Sequence, residues 1–366
     1  MRLSPTLSVY IGRYFLISFA AMFTLFLLLI LLFDTVELLR RAASRPDVSF
    51  GDIMEMSLLK LPYMGQKTFP FAVLFGSMAA FWHLTRSHEL VITRAAGVSA
   101  WQFLAPVLLL AFLLGVFQVS AMNPLASTTL ARYERLDAVN LKGRDSLLAL
   151  TGSGLWLRQA NKDGQSVVHA ERVLQQGKNV ELHDVVVFLY SGSDRFRGRV
   201  DAARANLEDG FWRMKDAWIF EPEKPTLFHK EYWLATDLTL SKIQDSFAPP
   251  ETMSFWALPG FIATLEKAGF SAIRHRLHWN TLLATPFLLC AMVLIAATFT
   301  LRPSRRGATS FVIAGGVMTG FVLYFFSDVV FALGLSDSIP VTLAAWSPSG
   351  VATLLGLTML LHLEDG

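Results

Sequence analysis

The sequence predicts a membrane α-helical protein: six transmembrane helices, with an antiparallel β-domain inserted after the third. Three observations predict it. Six apolar stretches are long enough to cross a bilayer. Hydrophobic residues make up 53% of the 366 and charged ones only 17%, against about a quarter charged in soluble proteins. The charges gather in one central block, and there the pattern changes to alternation with period two.

A helix spanning the hydrocarbon core needs roughly 20 apolar residues at ~1.5 Å each. Tyr14–Phe33, Thr68–Thr85, Trp101–Met122, Thr281–Leu301, Gly307–Ser327 and Ser338–Leu363 qualify. The second is the shortest and can begin earlier, near Leu61. Tyr14–Phe33 is charge-free for 20 residues, too long for a signal-peptide core of roughly 7–15, so it reads as a retained anchor.

The loops orient these spans. LRPSRRG (301–307) carries three arginines in five residues and belongs in the cytoplasm. The loop Asp328–Asp337 has no Lys or Arg and belongs outside. Alternation puts Arg2, Arg13 and the stretch 85–97 in the cytoplasm and the central block outside. One loop conflicts: residues 34–67 fall outside yet carry Arg40, Arg41, Arg45, Lys60 and Lys67. The net charge of +3 sits largely in short loops, so it reports orientation rather than nucleic-acid binding.

The expected domains are residues 1–122 with three spans, 123–253 as the outer β-domain, and 254–366 as a connecting helix with three spans. Strands are expected at 154–159, 166–173, 180–190, 195–207, 211–221 and 231–240. Asp163-Gly164, Gly177-Lys178-Asn179, Ser191-Gly192-Ser193 and Asp209-Gly210 separate them as turns. Strands without intervening helices make a sandwich or jelly roll. Such a domain offers an apolar trough, an edge for another sheet, or simply a filled core. Ser254 can then cap a short amphipathic helix that Gly269 ends.

The chemistry is notable for what is missing. There is no GxxxxGK[ST] phosphate loop, no HExxH and no GxSxG. His275 and His278 lack a third metal ligand. Cys290 stands alone, so it forms no intrachain disulfide. No catalytic set and no cofactor site is expected on this chain. The spans are nearly free of charge, which disfavours a proton-coupled carrier. A membrane-anchored tether with an outer β-domain is the other alternative to a transport subunit.

TRSHELVITRAAG (85–97) is over-charged for a simple turn. As a helix it places Arg86, Glu89 and Thr93 on one stripe. Gly97 suits its C-terminal end, and Ser99 with Gln102 forms a capping box for span three.

Together these features resemble the lipopolysaccharide-export permease family, LptF/LptG. YIGRY (10–14), SHELVITRAAGVS (87–99), LRPSRRG and GFVLYFFSDVVFALG (320–334) followed by IPVTLAAWSP (339–348) carry the resemblance, and the last pair looks more like the LptG branch. The match covers essentially the whole chain.

The resemblance implies an inner-membrane protein with cytoplasmic termini and a periplasmic β-jelly-roll domain. It implies a second, LptF-like permease, a dimeric LptB-like ATPase holding ATP and Mg, a single-span LptC-like protein and a periplasmic bridge of similar folds. The complex would extract lipopolysaccharide from the outer leaflet. It implies that residues 86–97 form a coupling helix contacting the ATPase through Arg86, Glu89 and Arg94. It implies that Arg40, Arg41, Arg132 and Arg135 hold lipid A phosphates, which would explain the basic outer loop. A family lysine near the end of span one has no counterpart here, and Asp34 is the nearest charge. Phe26, Leu27, Ile30, Val317, Phe321 and Tyr324 would line the lipid cavity.

Overall fold

Ser49 opens a long helix well before the expected second span. Its hydroxyl accepts the Asp52 N–H at 3.2 Å, and Asp52 accepts the Ser49 N–H at 3.0 Å, a reciprocal cap. In the computed structural model, α1 therefore spans Pro5–Ala42 and α2 spans Phe50–Arg86. The structure describes residues 5–43, 48–87, 89–95, 97, 99–137, 148–151, 154–161, 164–176, 179–191, 195–208, 210–222, 224–236, 248–267, 271–301 and 309–365. Residues 34–67 are thus not an extended outer loop. Most of their basic residues stand on helical extensions of the first two spans. Arg45, the arginine loop 302–307, Gly269 and most of the expected turn residues lie outside the described residues.

The chain divides into two compact units. One holds residues 1–142, 251–256 and 273–366; the other holds 143–250 and 257–272. In the first, α3 (Glu89–Ala95), α4 (Ala100–Phe117), a π-helical turn Gln118–Met122 and α5 (Asn123–Asp137) follow α2. All six expected spans are long apolar helices.

Two prolines free backbone carbonyls at or beside the π-helical turn. Pro70 has no N–H for the carbonyl of Gln66, four residues back. The Gln118 side-chain amide takes that carbonyl at 3.1 Å. Pro124 likewise frees the carbonyl of Ser120, which accepts from the Trp256 indole at 3.3 Å. Asn123 Oδ1 accepts the Phe255 N–H at 2.7 Å. Freed backbone groups inside a bilayer need such partners. The chain from 100 to 137 therefore runs as one continuous helical element, and the expected boundary at 122/123 falls inside it.

Phe15, Phe19, Phe69, Leu74, Phe81, Leu104 and Leu289 share the main core of this unit. Gly76 lets the first two helices touch backbone to backbone. A Cβ there would lie 2.7 Å from Phe19 Cα.

The second unit is a seven-stranded antiparallel meander in strict chain order. Its strands are β1 (Leu148–Thr151), β2 (Gly154–Asn161), β3 (Gly164–Gln176), β4 (Asn179–Ser191), β5 (Arg195–Glu208), β6 (Phe211–Phe220) and β7 (Leu227–Ala235). The first five expected strands are present; the last, expected at 231–240, runs from Leu227 to Ala235, with 237–240 outside the described residues, and β1 is an addition to the expected set. Alternation puts Leu157, Val168, Leu182, Val187, Val200, Ala202, Trp212, Met214 and Leu234 on one buried face. The sheet curls over that face. Gln159 of β2 accepts from the Thr236 hydroxyl at 2.6 Å, just past β7, although four strands lie between. The roll is thus a curled meander. The short helix α6 (Leu258–Lys267) adds Leu265, Phe261 and Ile262 to its core, so the connecting helix belongs to the β-unit rather than to the last three spans. Those spans are α7 (Ile273–Thr300), α8 (Thr309–Leu335) and α9 (Val341–Asp365).

Candidate functional site

Two groups of residues stand at opposite ends of the helical unit. The first is where α2 ends and α3 begins. Glu89 is the first residue of α3, and the Thr93 hydroxyl bonds its carbonyl at 2.7 Å. Gly97 has φ +85°, a conformation glycine adopts without penalty. Ser99 then caps α4 through the Gln102 N–H at 3.3 Å, with Gln102 returning a bond to the Ser99 N–H. The positive φ of Gly97 and the Ser99 cap of α4 thus stand between the short helix and the third span, and the capping box is where the sequence predicts it.

Its side chains are arranged differently from the expected stripe. Arg86 belongs to the last turn of α2 and lies over the Trp82 ring at 5.2 Å, a cation–π contact. Arg86 and Glu89 form no ion pair. Glu89 is half-buried and faces a cleft of about 190 Å³ with Leu7, Tyr10, Ile11, Leu84, Ile92, Thr93 and Phe103. The Arg94 side chain and His88 lie outside the described residues.

The second group stands where α1, α2 and α5 meet. Leu38, Ala42, Ile53, Met56, Leu130 and Tyr133 pack together there. Around them the cations are already engaged. Arg40 grips both oxygens of Glu37 at 2.9 Å, and Arg41 reaches the same carboxylate at 2.8 Å. Arg132 of α5 bonds Glu55 of α2 at 2.6 Å. Arg135 is exposed and makes no ion pair among the described residues. Lys60 bonds Asp34 at 2.5 Å and lies 5.4 Å from the centre of the Tyr133 ring. Thr35 adds a bond to Ser57 at 3.1 Å.

Among the described residues, Glu37 thus holds Arg40 and Arg41, Asp34 holds Lys60, and Glu55 holds Arg132. This end carries paired charges and is not a bare basic patch. The acidic partners were missed in the sequence, although Glu37 with Arg40 and Arg41 has readable helical spacing.

Residues 9–362 match the model of a family described as lipopolysaccharide export system permease LptF/LptG. The chain belongs to the LptF/LptG family. It is 27% identical over 363 residues to the lipopolysaccharide export system permease protein LptG of Escherichia coli strain K12, covering 96% of this chain and 97% of the relative. The same values hold for LptG of Escherichia coli O6:H1 strain CFT073. This LptF/LptG chain is therefore a multi-pass membrane permease with an inserted antiparallel β-domain.

Within that LptF/LptG frame, the expected lipid-lining residues divide. Phe26 of α1 meets Phe75 edge-on at 6.1 Å, and Tyr324 of α8 meets Phe71 at 6.1 Å. Phe71 and Phe75 are one turn apart on α2, so both contacts land on the same stretch of that helix. Val317 and Phe321 are exposed at 48% and 67%, open to a lipid or a partner. Ile30 is half-buried. Leu27 instead lies over Gly65 of α2, where an added Cβ would meet its Cδ2 at 3.1 Å, and so contributes to packing.

Proposed function

We propose that this LptF/LptG-family chain is the permease subunit of an ATP-driven exporter that extracts lipopolysaccharide from the outer leaflet of the inner membrane. It passes the lipid to a periplasmic bridge. A second, LptF-like permease completes the membrane pathway, a dimeric LptB-like ATPase hydrolyses ATP with Mg, and a single-span LptC-like protein joins them. Both termini and α3 are cytoplasmic, and the β-unit is periplasmic.

The observation that carries this reading is α3: a separate short helix between two spans, starting on Glu89, in a chain without a phosphate loop. Such an element hands the work of hydrolysis from another protein to these helices. At the other end, arginine forks match phosphate oxygens. Arg135 is available directly, while Arg40, Arg41 and Arg132 exchange a carboxylate for a phosphate. In the β-unit, a cleft of about 330 Å³ is lined by Leu189, Ile219, Tyr232 and Leu234 together with Gln165, Ser166, Arg197 and Glu221, a mixed polar and apolar surface.

The test is Glu89→Ala. The variant inserts and folds normally but loses ATPase association or lipid export. Unchanged export removes the coupling role from α3.

A further inference from the structure

The outward face of the β-unit departs from the polar surface that a one-sided antiparallel sheet normally shows to water. From β4 to β7 its rows are aromatic. Phe188, Arg199 and Phe220 are cross-strand neighbours on β4, β5 and β6. Asp201, Trp218 and Phe228 form the next row, on β5, β6 and β7. Farther along, Arg213 stands opposite Trp233. Val200, Ala202, Trp212, Met214 and Ala217 of the same strands face the core, so alternation turns these rings outward. Trp218, Phe220, Phe228 and Trp233 are each 40% to 49% exposed.

Charged groups are set between the rings. The Trp218 and Phe228 rings lie 4.9 Å apart. Arg199 stands 5.9 Å from the centre of the Phe220 ring and 6.0 Å from that of Phe188. Its Nε and Nη2 also donate to the two oxygens of Asp201 at 2.5 and 2.6 Å. Arg213 lies 5.5 Å from the centre of the Trp233 ring. At one end of the face, Phe196, Arg199, Asp201, Phe220, Glu221 and Pro222 line a cleft of about 510 Å³, within the roughly 300–1,000 Å³ of small-molecule sites. A contiguous exposed apolar patch rimmed by polar groups marks a place of interaction.

The chemistry of the face selects its occupant. An acyl chain makes no use of a guanidinium and a carboxylate standing between the rings. A sugar ring has both characters, C–H bonds on its flat faces and hydroxyls around its rim. The C–H faces suit the electron-rich faces of aromatic rings. The hydroxyls reach carboxylate oxygens and the guanidinium N–H groups that Asp201 leaves over. We propose that this outward aromatic face is a saccharide-binding surface. Trp218, Phe220 and Phe228 stack on sugar rings, and Arg199 with Asp201 bonds their hydroxyls. The proposal rests on the export of lipopolysaccharide, whose saccharide leaves the membrane together with its lipid.

The test uses the intact protein in detergent. Its probe is the lipid-free saccharide that mild acid releases from lipopolysaccharide. Saturation-transfer difference NMR follows magnetisation passing from the protein to the sugar C–H protons. Wild type should bind, and Trp218→Ala and Phe228→Ala should each weaken binding about threefold to tenfold, the scale of one stacked ring. Trp218→Phe should keep most of the affinity, because a flat ring remains. No transfer in wild type, or wild-type affinity in both alanine variants, overturns the proposal. Lipopolysaccharide export by the complex, reconstituted in vesicles with its ATPase, is measured beside it. Export without saccharide binding removes this site and leaves the exporter standing. Saccharide binding without export supports the site and removes the exporter. A benzophenone amino acid placed at position 228 in cells then shows what covers the face. A saccharide-bearing adduct supports the proposal; a phospholipid or protein adduct overturns it.

Discussion

Asp34 of α1 and Lys60 of α2 sit 2.5 Å apart, with 12% and 18% of their side chains exposed. The Tyr133 ring of α5 closes over the lysine. An acidic residue thus stands where the resemblance to the family leads one to expect a lysine, and the opposite charge comes from the neighbouring helix. The pair is internally neutral, so Asp34 presents no free negative charge to a phosphate. It also pins three helices together at one end of the unit.

Removing one partner strands the other charge in a largely dry site, a change that costs roughly 3–5 kcal/mol for a buried pair. Asp34→Asn and Lys60→Met should each lower the thermal midpoint of the detergent-solubilised protein by several degrees. The exchange Asp34→Lys with Lys60→Asp should recover most of the loss. Equal losses in the single and exchanged variants would show that shape, and not the ion pair, matters here.

Glu37 occupies both Arg40 and Arg41 on an exposed helix face. Exposed pairs are screened by solvent and contribute little, so a phosphate displaces this carboxylate readily. Glu37→Gln should increase cross-linking of a phosphorylated lipid A probe to this end, by no more than about fivefold. Arg40→Ala with Arg41→Ala should reduce it. Cross-linking that ignores both variants places the phosphates elsewhere.

Arg132 and Arg135 are one helical turn apart on α5. Arg132→Glu with Arg135→Glu places one acid against Glu55 and a second one turn along α5, and should lower lipopolysaccharide photocrosslinking to the cavity. Wild-type yield would remove α5 from the phosphate site.

Gly97 holds φ +85° with nothing within 4 Å of where a Cβ would stand. Gly97→Ala therefore meets only backbone strain, about 1–2 kcal/mol. Ser99→Ala removes a helix cap, typically about 1 kcal/mol. Both should weaken ATPase association while the six spans still insert, which a pull-down with the ATPase measures. Full association in both variants would show that α3 needs no fixed stop.

On the β-unit, Arg213 of β6 bonds Glu231 of β7 at 2.6 Å, and the guanidinium holds the carboxyl below its ordinary value of 4.5. A carboxyl shifted down stabilises the fold fully above its unfolded value. That contribution disappears as pH falls through the lowered one. The β6–β7 pairing should therefore weaken below about pH 4.5. Glu231→Gln should narrow the difference between neutral and acidic unfolding profiles of the intact protein, followed by circular dichroism. Parallel profiles for the two proteins would rule out this pair as a contributor.

Much of this arrangement is legible in the sequence because the signals are local. Span length, period-two alternation and the Ser99–Gln102 box are read within about twenty residues. The failures are long-range. Gln118 answers Pro70, and Trp256 answers Pro124, so the partners of the freed carbonyls lie far along the chain. Lys60 finds Asp34 across 26 residues, and Glu89 lines a cleft with Tyr10 from the start of the chain. β1 is only four residues long and too short to stand out by pattern. The run of 34–67 looked like a loop because its basic residues hid two helix ends.

The central claim is that this chain is moved by a separate ATPase while it handles lipopolysaccharide. The most direct measurement is mild-detergent purification of the intact protein from membranes, with the co-purifying chains identified by mass. An ATPase and a second six-span permease should accompany it in fixed ratio. A chain that purifies without them and still exports lipopolysaccharide in vesicles would contradict the account.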